Sequence, residues 1–127
     1  MNTKFGKTEK YIYERLEEKG ALMFMLIDPV DYRTPELAIK TARQAEEGGA
    51  DLILVGGSIG AQGELLDCVM KGVKESVSSP VVLFPGNIAT LSRYADAIYF
   101  MSLLNAYPHE GTEWSSANAV TENPLPL

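Results

Sequence analysis

A chain of 127 residues is one modest domain, long enough to bury one core and hardly two. Its 46% hydrophobic and 22% charged residues are ordinary globular usage, which argues against disorder. A formal net charge of −6 argues against a general nucleic-acid binder, because such proteins need a basic field to displace counterions from phosphates.

Thr8 to Lys19 is polar, with Tyr11, Ile12 and Leu16 at three-to-four spacing, which predicts a short amphipathic helix ended by Gly20. Glu14, Arg15, Glu17, Glu18 and Lys19 read as its solvated face. Ala21 to Ile27 is apolar without alternation and stops at Asp28-Pro29. That fits a strand buried on both faces, with Met23 and Met25 in the core. Thr34-Pro35-Glu36 opens a second helix whose buried stripe is Leu37, Ala38, Ala42 and Ala45, closed by Gly48-Gly49. Asp51 to Val55 is a second buried strand running into Gly56-Gly57-Ser58, with Asp51 in a structural role at its plain end.

A third helix carries Leu65, Leu66, Val69, Met70, Val73 and Val77, with Cys68 packed on its apolar side. Pro80 to Phe84 is a third strand, ended by Pro85-Gly86, and Ala97 to Met101 a fourth, followed by Ser102-Leu103-Leu104-Asn105. From Tyr107 to Leu127 no period holds, and this stretch reads as an irregular tail with Trp114 as its large anchor. The single cysteine excludes an internal disulfide. No apolar run reaches the ~18 residues of a bilayer span and no secretory signal is read, so a soluble, cytoplasmic domain is expected.

Thirty residues separate Asp28 from Ser58 and 28 separate Ser58 from Gly86. Both match the ~30 residues of a βαβ unit, so the fold class is α/β with parallel (βα) units. Right-handed crossovers gather the strand C-terminal ends on one rim, where ligands of α/β sheets and barrels bind. Asp28, Gly56-Gly57-Ser58, Pro85-Gly86 and Ser102 to Asn105 collect there.

Asp28 is open to two readings. It is a turn former ahead of the next helix, or a hard-cation ligand or general base. Gly56-Gly57 is likewise a tight turn, or a place where an anion approaches bare backbone. The pair says more: on neighbouring parallel strands, Asp28 and Ser58 leave the sheet side by side. One carboxylate, one hydroxyl and exposed amides suit Mg²⁺ carrying a diphosphate, since Mg²⁺ takes one or two carboxylates plus substrate oxygens. One His and one Cys, far apart, make no transition-metal site; His109, in the tail, and Asp31 read as solvated.

Leu26-Ile27-Asp28-Pro29, Gly49 to Ser58, Pro80 to Asn87, Ala95-Asp96-Ala97-Ile98 and Ser102 to Asn105 together resemble the archaeal geranylgeranylglyceryl phosphate synthases and the related bacterial heptaprenylglyceryl phosphate synthases. The resemblance implies a TIM-type (βα)₈ barrel that joins a long prenyl diphosphate, geranylgeranyl for preference, to the hydroxyl of sn-glycerol 1-phosphate. It implies Mg²⁺ held by Asp28 and Ser58, with the diphosphate on Gly56 and Gly57. It also implies at most a transient contact with a membrane surface.

A full barrel takes ~200 residues or more, so about the first four strands are expected in residues 1–106, with 107–127 a tail unlike the family. The chain is accordingly expected to be a truncated synthase. The alternative is a catalytically inactive, self-associating half-barrel that binds diphosphate or lipid-like ligands. In either case two open sheet edges predict a homo-oligomer.

Overall fold

The computed structural model describes residues 5–57 and 59–99. The elements are α1 (Lys7–Lys19), β1 (Phe24–Ile27), α2 (Pro35–Glu47), β2 (Leu52–Gly56), α3 (Gly63–Ser76), β3 (Val81–Phe84) and β4 (Ala97–Ile98), with a 3₁₀ turn at Pro29–Asp31. The four strands form one parallel sheet in the order β1-β2-β3-β4. The expected parallel (βα) units are therefore present. The boundary at 106/107 and the tail lie outside the described residues.

Parallel register makes each strand's side chains alternate between two faces. Ile27, Ile53, Val55, Val81 and Leu83 point to the helical layer and are buried with Ala38 and Ala42 of α2 and Leu66, Val69, Met70 and Val73 of α3. This is the core. At ~25 cal/mol per Å² of apolar surface removed from water, it holds the sheet to the helices. Two departures from the expected stripes follow from helix geometry: Leu37 is exposed and so is Cys68. At about 100° per residue Cys68 lies roughly 200° from Leu66, on the far side of α3.

The other face corrects the expectation of strands buried on both sides. Phe24 and Leu26 of β1 are 40% and 45% exposed, and Met23, expected in the core, lies ahead of β1 and is exposed as well. Leu52 and Val82 are buried, but no layer covers the outer part of this face among the described residues. The first turns of α1 cross it near the strand starts, bounding a cavity of about 420 Å³ lined by Ile12, Phe24, Leu54, Val82 and Tyr99 among others.

The α1 face called solvated is only partly so. Arg15 and Lys19, one helical turn apart, reach the buried Asp51 at 3.4 and 2.6 Å, while Leu16 is exposed. Asp51 also accepts the Met23 N–H at 3.0 Å, and Tyr11 donates to its main-chain oxygen at 3.0 Å. The structural role expected of Asp51 is thus to tie α1 and the start of β1 to β2. Between β3 and β4 there is no helix. Asp96 pins β4 instead, accepting from Lys74 at 2.6 Å and from the Val81 N–H at 2.8 Å.

Candidate active site

The strand ends place the rim residues as the spacing predicts. Register pairs Ile27 with Val55, so Asp28 follows β1 next to the end of β2. Asp28 is half-buried, and its Oδ1 accepts the Val30 N–H at 3.3 Å, capping the 3₁₀ turn with Pro29 at its start. The turn-forming reading of Asp28 therefore holds. It is compatible with the second reading, because a carboxylate that caps a turn at a strand end stands on the same rim where a cation would bind. Oδ2 lies 3.3 Å from the point where a Cβ would stand on Gly57. Any side chain there would press on the carboxylate.

Gly56 and Gly57 have φ of +129° and +121°, a region that residues with a Cβ rarely enter. A Cβ on Gly56 would also stand 2.5 Å from the Phe84 carbonyl oxygen and 3.1 Å from Thr90 Cγ2. The two glycines thus let the backbones of adjacent strand ends come together under the Asp28 carboxylate. Ser58 and Ser102 to Asn105 lie outside the described residues, as does His109. Asp31 is exposed, as expected of a solvated charge.

The loop after β3 completes the described rim. Asn87 Oδ1 accepts the Ala89 N–H at 2.8 Å and its carbonyl accepts the Thr90 N–H at 3.1 Å, an Asx-type turn. Thr90 is fully buried beneath it. Ile59, Ile88 and Leu91 on the loops after β2 and β3 are 91%, 65% and 54% exposed, an unusual display of branched apolar groups on one rim. The sequence reading did not single them out. Their signal was position, immediately after predicted strand ends.

Among the described residues no three of His, Cys, Asp and Glu come together as a metal cluster. A cation held here would rest on Asp28 and on oxygens from few other sources. Asp28 is a hard oxygen donor at a strand end, seated on a cradle that a Cβ would fill, and this fits Mg²⁺. No helix among the described residues is long and apolar enough to cross a membrane.

Comparison with known proteins agrees with this geometry. The geranylgeranylglyceryl phosphate synthase of Pyrococcus horikoshii is 58% identical over 103 residues, 81% of this chain and 40% of that protein. Wild-type GGGPS from Thermoplasma volcanium matches with a TM-score of 0.70 at 36% identity, over 82% of this chain and 41% of its own. The crystal structure of (S)-3-O-geranylgeranylglyceryl phosphate synthase from Thermoplasma acidophilum, in complex with sn-glycerol-1-phosphate, matches with a TM-score of 0.75 at 32% identity, over 92% and 45%. The four parallel strands are thus part of a TIM-type barrel, and the chain spans about 40% of the length of the curated relatives it matches. The PcrB family model matches residues 13–120, and the chain belongs to that family.

Proposed function

We propose that this chain carries the cation and diphosphate side of a prenyltransferase centre. The reaction moves a long prenyl group, geranylgeranyl, from its diphosphate to the hydroxyl of sn-glycerol 1-phosphate in ether-lipid synthesis. The observation that carries this reading is the seat of the Asp28 carboxylate on Gly57, at the C-terminal rim of a parallel sheet. Relatives named as geranylgeranylglyceryl phosphate synthases, and the glycerol-phosphate complex of the Thermoplasma acidophilum enzyme, support it.

The chain's own groups divide the work. The Val30 N–H restrains the Asp28 carboxylate at the strand end, which limits the rotamers it must search to meet a cation. With Ser58, it is the residue that would hold Mg²⁺. When bound, Mg²⁺ neutralises the charge that grows on the departing diphosphate, so no proton donor is needed there. Gly56 and Gly57 let the diphosphate approach backbone where a side chain would stand in the way. Ile59, Ile88 and Leu91 offer the prenyl chain apolar surface beside the rim. The reading puts the reaction in the cytoplasm, with a transient contact at the membrane surface.

Calorimetric titration of geranylgeranyl diphosphate, with Mg²⁺ and with EDTA, tests it. Asp28→Asn abolishes the Mg²⁺-dependent part, and Ser58→Ala weakens it less because water replaces a lost hydroxyl. Unchanged affinity in the Asn variant removes Asp28 from the site. A second reading is favoured by one observation, the exposure of Phe24 and Leu26 on the face of β1 that no described helix layer covers. In it the chain self-associates, a two-fold axis bringing β4 of one copy beside β1 of the other, and turns nothing over.

A further inference from the structure

We propose that Gly86 is a positioning residue for the Asp28 carboxylate, acting through the carbonyl group of Gly57; this rests on the reading of Asp28 as a cation ligand. Gly86 follows β3 and Asp28 follows β1, with β2 between them. A Cβ on Gly86 would nevertheless overlap the Gly57 carbonyl oxygen and stand 3.1 Å from its carbon. On Gly57 itself, the place of the absent Cβ is 3.3 Å from Asp28 Oδ2 and 3.9 Å from its Cγ. One bare Cα backs the Gly57 carbonyl, and the next receives the carboxylate.

The contact at Gly86 is with backbone, so no rotamer change absorbs an added methyl. Real Cβ atoms do not come within 3.0 Å of such a neighbour, so the two backbones must part by about 1 Å or more. The Gly57 peptide supports Asp28 and leads into Ser58. The turn that follows Gly86 is fixed, so the Gly57 side of the contact takes up the shift. Asn87 bonds Ala89 and Thr90, and Thr90 is buried with its Cγ2 3.1 Å from the place of a Gly56 Cβ.

A shift of this size matters for one ion more than another. Mg²⁺ demands near-ideal octahedral geometry at ~2.0–2.1 Å, whereas Ca²⁺ accepts longer, more variable contacts. Gly86 therefore sets ion selectivity as well as affinity. Loss of the fold alone would weaken both ions together.

The test is calorimetric titration of inorganic diphosphate into the full chain with Mg²⁺, with Ca²⁺ and with EDTA, each variant also checked by circular dichroism. Gly86→Ala is expected to lower the Mg²⁺-dependent affinity at least tenfold, to lower the Ca²⁺-dependent affinity clearly less, and to leave binding in EDTA unchanged. Asn87→Ala, which loosens the exposed turn without adding bulk, is expected to show the same order of ions with a smaller loss. Wild-type Mg²⁺ dependence in Gly86→Ala overturns the proposal, and so does an equal loss with both ions. Should Gly86→Ala not fold, Asn87→Ala decides in the same way: the ion order supports the proposal and wild-type behaviour overturns it. Mg²⁺ dependence retained in Asp28→Asn overturns the ligand reading itself, whatever Gly86 does.

Discussion

Replacing Asp51 by Asn removes a charge from a buried position that joins α1, β1 and β2. The Asp51 side chain is 2% exposed, whereas Arg15 and Lys19 are 39% and 38% exposed. Asn keeps an oxygen for the Met23 N–H, so that donor stays satisfied. What is lost is the charge on two ion pairs whose cations return to water. Such pairs are discounted for solvent, and the change costs about 1–2 kcal/mol. Asp51→Ala also orphans the Met23 N–H, adding about 1–3 kcal/mol. At roughly 4 °C per kcal/mol for a domain of this size, the Asn variant melts ~4–8 °C lower.

The pH dependence is the sharper check. The hydrogen bond from Lys19, then that from the Met23 N–H, holds the Asp51 carboxyl below its ordinary value. A depressed carboxylate contributes stability that is complete above the unfolded value of ~3.9 and is lost as pH falls through the folded one. The gap between wild type and Asp51→Asn should therefore be widest near neutrality and close on acidification below about pH 4. Thermal melts followed by circular dichroism across that range measure it. A gap that stays constant from neutral to strongly acid solution would refute the assignment.

At Gly72 α3 lies directly against α2: a Cβ there would overlap Ile39 Cδ1 and stand 2.8 Å from its Cγ1. Gly72→Ala is expected to lose about 1–2 kcal/mol despite the better helix propensity of Ala, and Ile39→Val, which deletes the overlapping atom, to restore part of it. Chemical denaturation of the single and double variants reads the coupling. The open face of β1 predicts association, so light scattering after size-exclusion chromatography should show mass above 13.9 kDa that falls on dilution. A monomer at every concentration sinks that reading.

The alternation of elements was legible because the buried faces of α3 and of β2 and β3 are nearly pure in apolar residues. Asp28 and Gly56-Gly57 were legible for a related reason. Polar and glycine residues at the end of an apolar run have no packing role to hide behind. The faces of β1 were not, because seven apolar residues in a row do not say which side finds a neighbour. Arg15 and Lys19 were missed because charge on a helix ordinarily means solvent. Their spacing of four, with an Asp opening a strand 32 residues after Lys19, was the available signal. Cys68 was misread although helix geometry alone places it opposite Leu66. Gly86 read as a simple stop after a strand. Its closeness to Gly57 depends on two strands lying side by side, which no local pattern encodes.

That strand order follows chain order bears on how the molecule is made. Each strand pairs with the one synthesised just before it, 28 residues earlier along the register for β2 and β3 and 15 for β4, so its template has already left the ribosome when it emerges. At about 5–20 residues per second, successive strands appear roughly 1–6 s apart, long compared with the microseconds in which helices form. Every βα unit thus has time to dock on its predecessor while the next is still being translated. Of the two unpaired edges of the growing sheet, one is β1 throughout and the other is always the newest strand, the one still close to the ribosome.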